Sequence, residues 1–273
     1  MSGAPRIWVQ GAGEMASAVA VCLVRAGCDV VMAEIAAPLA VRRLVCFSDA
    51  VFEGRATVAG IDGRLSGAAD AAFARGLVTV LVDPEAREMP RLRPVAVVDA
   101  RMTKRAPAPL PRGGAPLVGL GPGFTCGLDA DRIVETHREA GPGRLIVTGS
   151  AAADTGIPGE VGGATRLRLL RAPAAGRLEP CCAIGDLVAA GQVVGHVSGL
   201  PVTAGLGGLL RGLVHPGARL AAGDKVGDID PRGAAVDPRE VTDKGRAVGA
   251  GVVAALADLG LVPVPSTGPV AGP

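Results

Sequence analysis

The chain has 273 residues, 49% of them hydrophobic, and its 28 basic and 26 acidic side chains leave a formal net charge of +2. This length suits one large domain or two modest ones with a substantial buried core. The near-neutral charge argues against a nucleic-acid partner, which would need a basic face to neutralise phosphates. Tyrosine is absent and aromatic residues make up 2% of the chain, so base-stacking platforms are not expected.

The apolar runs and the cysteines predict where the protein resides. No apolar run approaches the length needed to cross a bilayer, and no charged-then-apolar leader precedes Arg6. The six cysteines lack paired metal-ligand spacing, so they are interpreted as packing residues and no metal site is predicted. We therefore predict a cytoplasmic protein without a membrane partner. Only Lys104, Lys225 and Lys244 of the 28 basic residues are lysines, a bias that we interpret as the coding preference of a GC-rich genome.

Strands and helices alternate in the first half of the chain. Residues 6–10 predict a strand, 14–26 a helix closed by Gly27, and 28–33 a second strand ending at Glu34, which together form a βαβ unit. Further strands are predicted at 77–82, 95–99, 116–120 and 144–148, and further helices at 67–76 and 129–139. Apolar strands separated by helices are typical of a parallel sheet covered on both faces.

The first glycine-rich turn, at residues 11–16, fits the G-x-G-x-x-G/A fingerprint of dinucleotide-binding sites. There Gly11 permits the tight turn and Gly13 lets a pyrophosphate approach free N–H groups at the start of the helix. Glu34 lies 21 positions after Gly13, where a carboxylate accepts hydrogen bonds from ribose hydroxyls. Glu14 favours the helix dipole but competes with phosphate. The alternative to dinucleotide binding is a strand-to-helix turn that needs glycine only for its backbone conformation.

An internal repeat with an offset of 32 residues occupies the second half. Residues 185–191 are echoed at 217–223, and 195–197 at 227–229. Each unit has a strand, a G-x-x-V/L-x-x-G turn and a second strand, and two such units predict a flattened β-barrel. This resembles the biotinyl/lipoyl module, a barrel-sandwich hybrid, over about 168–231. Its carrier forms attach their cofactor to a lysine between the halves, and the join at 197–202 has no lysine, so no covalent biotin or lipoate is expected.

Motifs spread along the chain resemble those of one bacterial family. They lie at residues 11–16, 38–43, 83–84, 99–105, 119–124, 154–159, 227–233 and 243–247. Together they resemble the selenium-dependent molybdenum hydroxylase accessory (maturation) proteins, from Gly11 to about Leu256. The resemblance implies a role in cofactor biosynthesis or insertion, with a molybdenum hydroxylase or another cofactor-maturation protein as partner. Glu14 departs from it, since the family has Asp there.

Basic residues that follow predicted strands indicate an anion pocket. Arginine forks suit phosphate or pterin-phosphate oxygens, and the ends of parallel strands face the ligand in open α/β sheets. The predicted cofactor-binding residues are Gly11, Ala12, Gly13, Glu14, Glu34, Arg42, Arg43, Lys104, Arg105, Gly121 and Gly123. The catalytic residues are unknown at this point, and Asp83, Asp99, Cys126 and the three histidines are interpreted as caps, packing or surface residues.

These observations combine into one prediction of architecture and function. The fold class is α/β, with a Rossmann-like parallel sheet over 1–165 and a β-rich barrel-sandwich hybrid (biotinyl/lipoyl-like) domain over 166–232. A C-terminal helix within 233–260 packs back on the sheet, and 261–273 form a flexible tail. The predicted function is molybdenum hydroxylase cofactor maturation, with a nucleotide-bearing or molybdopterin-type ligand at the glycine turns. An NAD(P)-dependent oxidoreductase and a non-enzymatic docking scaffold are the alternatives, and a homo-oligomer is a further expectation.

Overall fold

A computed structural model describes residues 3–105, 107–154, 156 and 162–263. Its helices are α1 (Glu14–Arg25), α2 (Ala50–Glu53), α3 (Met89–Leu92) and α4 (Asp243–Asp258). Its strands are β1 (Arg6–Gln10), β2 (Asp29–Glu34), β3 (Arg55–Val58), β4 (Ile61–Leu65), β5 (Leu77–Val82), β6 (Ala96–Asp99), β7 (Leu117–Leu120), β8 (Thr125–Cys126), β9 (Arg132–Val134), β10 (Leu145–Ile146), β11 (Gly149–Ser150), β12 (Leu169–Arg171), β13 (Leu178–Pro180), β14 (Leu187–Val188), β15 (Val193–Val197), β16 (Leu200–Thr203), β17 (Gly208–Leu213) and β18 (Lys225–Asp230).

A nine-stranded sheet, in the order β10-β9-β7-β6-β1-β2-β5-β4-β3, forms the larger layer. The strands from β9 to β4 in this order are parallel to their neighbours, and only β10 and β3 at the two edges pair antiparallel. The chain adds β2 and β5 on one side of β1 and β6, β7 and β9 on the other. The strand order therefore reverses beside β1. Open parallel sheets bind ligands at such a reversal. The prediction of an α/β protein with a large, mostly parallel sheet is confirmed.

Alternating side chains of the central strands cover both faces of this sheet. In β1, Ile7 and Val9 belong to one apolar cluster and Trp8 to the cluster on the opposite face. The first of these clusters includes the buried residues of α1 and α4. Strands buried on both faces read as continuous apolar runs, which is why the sequence predicted most of them to within one or two residues.

Helices α1 and α4 pack closely because small residues meet along their contact. A Cβ atom built on Gly245 lies 3.0 Å from the Cβ of Ala18, and one built on Gly249 lies 2.5 Å from the Sγ of Cys22. The residue numbers rise together along both helices, so the two helices run in the same direction. Their N-termini consequently lie side by side at the carboxyl end of the sheet.

Two predicted helices are wrong. Residues 67–76 contain turns at 68–70 and 75–76 in place of a helix, and the guanidinium of Arg91 donates hydrogen bonds to the carbonyls of Ala68 and Ala71 at 2.8 and 3.1 Å. Residues 129–139 contain strand β9, which pairs parallel with β7, and then a short 3-10 turn. Ile133 and Val134 are fully buried in the sheet, so their tertiary pairing overrides the helical composition.

The repeat forms an antiparallel β-unit, defined here as strands β12–β18, whose halves exchange equivalent hydrogen bonds. The amide of Gly191 donates to the carbonyl of Ala204 at 2.8 Å, and 32 residues on Gly223 donates to Ala172 at 2.8 Å. The β-unit has a four-stranded sheet, β12-β18-β17-β14, and a three-stranded sheet, β13-β15-β16. Residues 197–202, where no cofactor attachment is expected, lie on the β15–β16 hairpin.

The loop after β2 joins the β-unit to the large sheet. The amide of Leu213 donates to the carbonyl of Val41 at 2.8 Å, and Val41 is part of the apolar core of the β-unit. The predicted return helix corresponds to α4. The predicted domain boundaries stay predictions, and residues 264–273 of the predicted tail lie outside the described residues, as does most of the 154–159 motif.

Candidate functional site

A cleft of about 780 Å³ lies at the carboxyl ends of the parallel strands, where the β-unit covers the edge of the large sheet. Its side chains come from three parts of the fold. The loops that follow the parallel strands and the start of α1 contribute Glu14, Met15, Arg42, Met102, Lys104, Pro122, Thr136, His137, Arg138 and Glu139. The β-unit contributes Arg168, Arg211, Lys225 and Asp228, and the start of α4 contributes Thr242 and Lys244.

The lining of this cleft is strongly basic. Among the described residues, seven basic side chains face four acidic ones there. The basic ones are Arg42, Lys104, Arg138, Arg168, Arg211, Lys225 and Lys244, and the acidic ones are Glu14, Glu139, Asp154 and Asp228. Clefts with an excess of one charge concentrate ligands of the opposite charge, so the lining favours anions although the whole chain is nearly neutral.

Two buried arginines meet in the cleft. The side chain of Arg42 is 6% exposed and that of Arg211 is 12% exposed. Burial lowers the pKa of the Arg211 guanidinium, and the like charge of Arg42 lowers it further. In each residue the Nε atom is buried without a hydrogen-bond partner in the described part of the chain. Buried charged donors without partners are costly, so the Nε atoms of this pair are poorly satisfied.

Each of the two arginines forms an ion pair with a carboxylate. Arg42 lies 3.5 Å from the Oε1 of Glu14, and its Nη2 reaches the carbonyls of Pro238 and Glu240 at 3.4 and 3.3 Å. Arg211 lies 3.3 Å from the Oδ2 of Asp230. These contacts hold the two side chains in place but leave donor capacity on each guanidinium.

Two lysines of the cleft are perturbed in the same direction. Burial and the nearby Arg168 lower the pKa of Lys225, while Asp228 opposes the effect. Burial and Arg138 lower the pKa of Lys244. Groups with shifted pKa values that share a cleft are typical of functional sites.

The first glycine turn lies beside this cleft but is closed by its own neighbours. The amide of Ala12 donates to the Oε2 of Glu34 at 2.8 Å, and the amide of Ile35 donates to its Oε1 at 2.7 Å. Ala12 is fully buried, and its carbonyl accepts from the amide of Ser48 and the hydroxyl of Ser17. The structure therefore gives the carboxylate of Glu34 a role within the turn, where the sequence predicted a partner for ribose.

This geometry predicts that Glu34→Ala lowers stability. The change leaves the buried amide of Ala12 without an acceptor, so we expect a loss of about 1–3 kcal/mol in the free energy of unfolding, measured by urea denaturation. The matched control is Glu85→Ala, which removes an exposed carboxylate paired only with Arg87 and should change stability by at most about 0.5 kcal/mol. Equal stability of the Glu34 variant and the parent would contradict the capping role.

The other predicted binding residues are divided between two places. Glu14, Arg42 and Lys104 line the cleft. Arg43 turns away, donating to the carbonyl of Leu213 at 2.9 Å and pairing with Asp49 at 3.1 Å. Those outside the lining include Arg105, which is exposed, and Gly11, Ala12, Gly13, Gly121 and Gly123.

The second glycine turn is explained by packing. Gly121 has a φ of +72°, and a Cβ there would overlap the Oγ1 of Thr136. A Cβ on Gly123 would lie 2.7 Å from the carbonyl oxygen of Arg105. Side chains at either position would displace these neighbours, so both glycines are needed to bring the loops after β6, β7 and β9 together.

Sequence reasoning missed most of the cleft. The missed basic residues are Arg138, Arg168, Arg211, Lys225 and Lys244. One signal was available, since all three lysines of this arginine-rich chain line the cleft. His137, interpreted as an exposed helical residue, also lies there, next to a 3-10 turn.

Metal ligands and membrane-spanning helices are absent from the part of the chain that the structure describes. Among those residues, no three or more His, Cys, Asp or Glu side chains form a group able to hold a metal ion. No helix within the same ranges is long and apolar enough to cross a membrane.

Comparisons with known proteins give one clear sequence relative. No protein-family profile matches the chain. The chain is 40% identical over 258 residues to the uncharacterized protein YqeB of Escherichia coli (strain K12). The alignment covers 93% of this chain and 48% of that protein, so the chain spans about half the length of its curated relative.

Solved structures give only weak likenesses. A succinylglutamate desuccinylase/aspartoacylase from Rhodobacter sphaeroides aligns with a TM-score of 0.22 and 25% identity, over 23% of this chain and 22% of its own. The ectoine utilization protein EutE from Ruegeria pomeroyi gives 0.22 and 21%, over 31% and 27%. An aspartoacylase family protein from Mesorhizobium loti gives 0.27 and 16%, over 84% and 85%. At these TM-scores no activity is transferred to this chain.

The comparisons contradict the family resemblance drawn from the sequence. The solved structures are those of aspartoacylase-type and ectoine utilization proteins, and the name of the curated relative states no function. None of these names mentions a molybdenum hydroxylase. The predicted role in molybdenum hydroxylase maturation is therefore wrong by these comparisons, and its pterin-type ligand and partner hydroxylase are not carried forward.

Proposed function

We propose that the chain binds a small, multiply charged anion in the basic cleft between the parallel sheet and the β-unit. The observation that carries this proposal is the pair Arg42 and Arg211, two like charges that line the same cleft, where burial and Arg42 both lower the pKa of Arg211. An anion bound beside the two guanidinium groups would screen the repulsion between the two cations and use their remaining donor capacity.

The position of the cleft supports the same function. Both α1 and α4 begin there, and helix N-termini carry partial positive charge that favours anions. Thr242 caps α4 by accepting from the amide of Gly245 at 3.1 Å, and its hydroxyl donates to the Oε1 of Glu14 at 3.3 Å. Thr242 and Glu14 thus link the starts of α4 and α1 at the cleft.

We further propose that the large sheet is Rossmann-like and that the β-unit is a barrel-sandwich hybrid. The strand order β5-β2-β1-β6-β7-β9 supports a Rossmann-like sheet. The paired hydrogen bonds of the repeat support a barrel-sandwich arrangement of the β-unit. A cytoplasmic location is supported by six cysteines that are all unpaired, and a homo-oligomer stays a prediction.

Titration calorimetry tests the proposed function. We expect pyrophosphate and citrate to bind with one site per chain, and their affinity to fall as sodium chloride rises from about 50 to 200 mM, since exposed charges are screened over about 10 Å. At one hundred times Kd, pyrophosphate should stabilise the chain by about 2.7 kcal/mol. The proposal would be refuted if neither anion gave a heat of binding and neither stabilised the chain against thermal unfolding.

A further inference from the structure

The lysines of this chain all lie in one place. Of its 28 basic residues only Lys104, Lys225 and Lys244 are lysines, and all three line the cleft. Arginine stays protonated in proteins, whereas a buried lysine loses its proton readily and then acts as a base or nucleophile. All the lysine amines of this arginine-rich chain therefore lie at the candidate site.

The three lysines differ in their partners. The Nζ of Lys104 is exposed and lies 2.6 Å from the Oδ2 of Asp154, and that of Lys225 lies 4.0 Å from the Oδ1 of Asp228. The Nζ of Lys244 makes no hydrogen bond or ion pair with any residue that the structure describes. The residue is also partly buried, so it lacks both a carboxylate partner and full hydration.

The surroundings of Lys244 disfavour the ammonium form. The residue occupies the first turn of α4, where the helix dipole repels cations. The charged groups that face it are Arg138, Glu14, Glu135 and Asp243. The three carboxylates raise the pKa of Lys244, but burial and Arg138 outweigh them. Glu14 also pairs with Arg42, Asp243 with Arg138, and Glu135 accepts from the amides of Thr136, His137 and Ala152.

We propose that Lys244 is the nucleophilic amine of the cleft and forms an imine with the carbonyl carbon of a small anionic aldehyde or ketone. This inference rests on the proposed anion binding, because the basic lining, with Arg42 and Arg211, would hold the negatively charged group of that substrate.

The step balances without a further reactant. The lone pair of Nζ attacks the carbonyl carbon, the carbonyl π pair moves to oxygen, and a proton passes from nitrogen to that oxygen to give a carbinolamine. The nitrogen lone pair then forms the C=N bond as the hydroxyl leaves, and the remaining N–H proton passes to that hydroxyl, which departs as water. Burial and Arg138 lower the pKa of Lys244, so a larger fraction of its amine is free to attack at neutral pH than in an exposed lysine.

Reductive trapping on the full chain tests this inference. Glyoxylate and sodium cyanoborohydride at pH 7 should convert the imine to a stable secondary amine, which mass spectrometry locates on one of three lysine peptides. We expect Lys244 to be labelled at least about tenfold faster than Lys104. Pyrophosphate should suppress this labelling, and the neutral probe acetaldehyde should show a smaller preference. Equal labelling of the three lysines, or fastest labelling of Lys104, would overturn the inference.

Two variants separate this inference from the proposed function. Lys244→Arg removes the nucleophilic amine and keeps a positive charge, so it should give no adduct at position 244. Arg87→Lys places a new amine on the exposed surface outside the cleft, so this variant should keep the adduct on Lys244 and show slow labelling at position 87. If the parent chain binds pyrophosphate but glyoxylate gives no trapped adduct on Lys244, only the proposed role of Lys244 is refuted. Loss of pyrophosphate binding in the folded parent would refute the anion site itself.

Discussion

Arg211→Met is expected to weaken pyrophosphate binding by roughly 10- to 100-fold and to leave the folded chain at least as stable as the parent. A hydrogen bond to a charged group contributes about 1.5–3 kcal/mol, and about 1.4 kcal/mol changes an equilibrium tenfold. The substitution also removes a buried cation that faces Arg42 and an Nε without a partner. Asp230 keeps its ion pair with Arg232 at 2.7 Å, so no buried carboxylate is left alone.

Arg232→Met is the matched control for this change. Arg232 is the other cation that pairs with Asp230, through its Nε at 2.9 Å and its Nη2 at 2.7 Å, and it lies outside the lining of the cleft. Its removal should change pyrophosphate binding by less than about threefold and lower the free energy of unfolding by about 1–3 kcal/mol. Calorimetry and urea denaturation measure both quantities. Equal weakening of pyrophosphate binding by the two variants would contradict the proposed role of the cleft.

The contrast between these arginines also explains why the sequence predicted the sheet better than the site. Strands such as β5 are fixed by continuous apolar runs, which can be read locally. Arg211, however, lies between Leu210 and Gly212 in a strand of the β-unit, more than 160 positions after Arg42. The hydrogen bond from the amide of Leu213 to the carbonyl of Val41 joins the two segments and brings both guanidinium groups to the same cleft.

The glycine turn shows a different limit of sequence reasoning. Its spacing relative to Glu34 is compatible with a ribose carboxylate and with a carboxylate that accepts from Ala12, since both need the same residue at the end of β2. The residues that decide between these alternatives, including Ser48, come from a segment whose packing no local pattern predicts. The position of the turn was therefore predictable, whereas its hydrogen-bond partners were not.

Among glycine-to-alanine substitutions in α4, we expect Gly251→Ala to be the most destabilising, with a loss of roughly 3 kcal/mol in the free energy of unfolding. A Cβ at this position would overlap the carbonyl oxygen of Gly143. That carbonyl cannot move away easily, because Gly143 has a φ of +88° and its amide donates to the carbonyl of Glu135 at 2.8 Å. Overpacking against fixed backbone typically costs about 1–3 kcal/mol.

The sign of this effect distinguishes packing from helix propensity. At an exposed helical site, replacing glycine by alanine stabilises a protein by about 1 kcal/mol, so Ala254→Gly, at an exposed position of α4, should lower stability by about that amount. Urea denaturation of both variants measures the two effects. If Gly251→Ala matched or exceeded the parent in stability, α4 would not be held against Gly143.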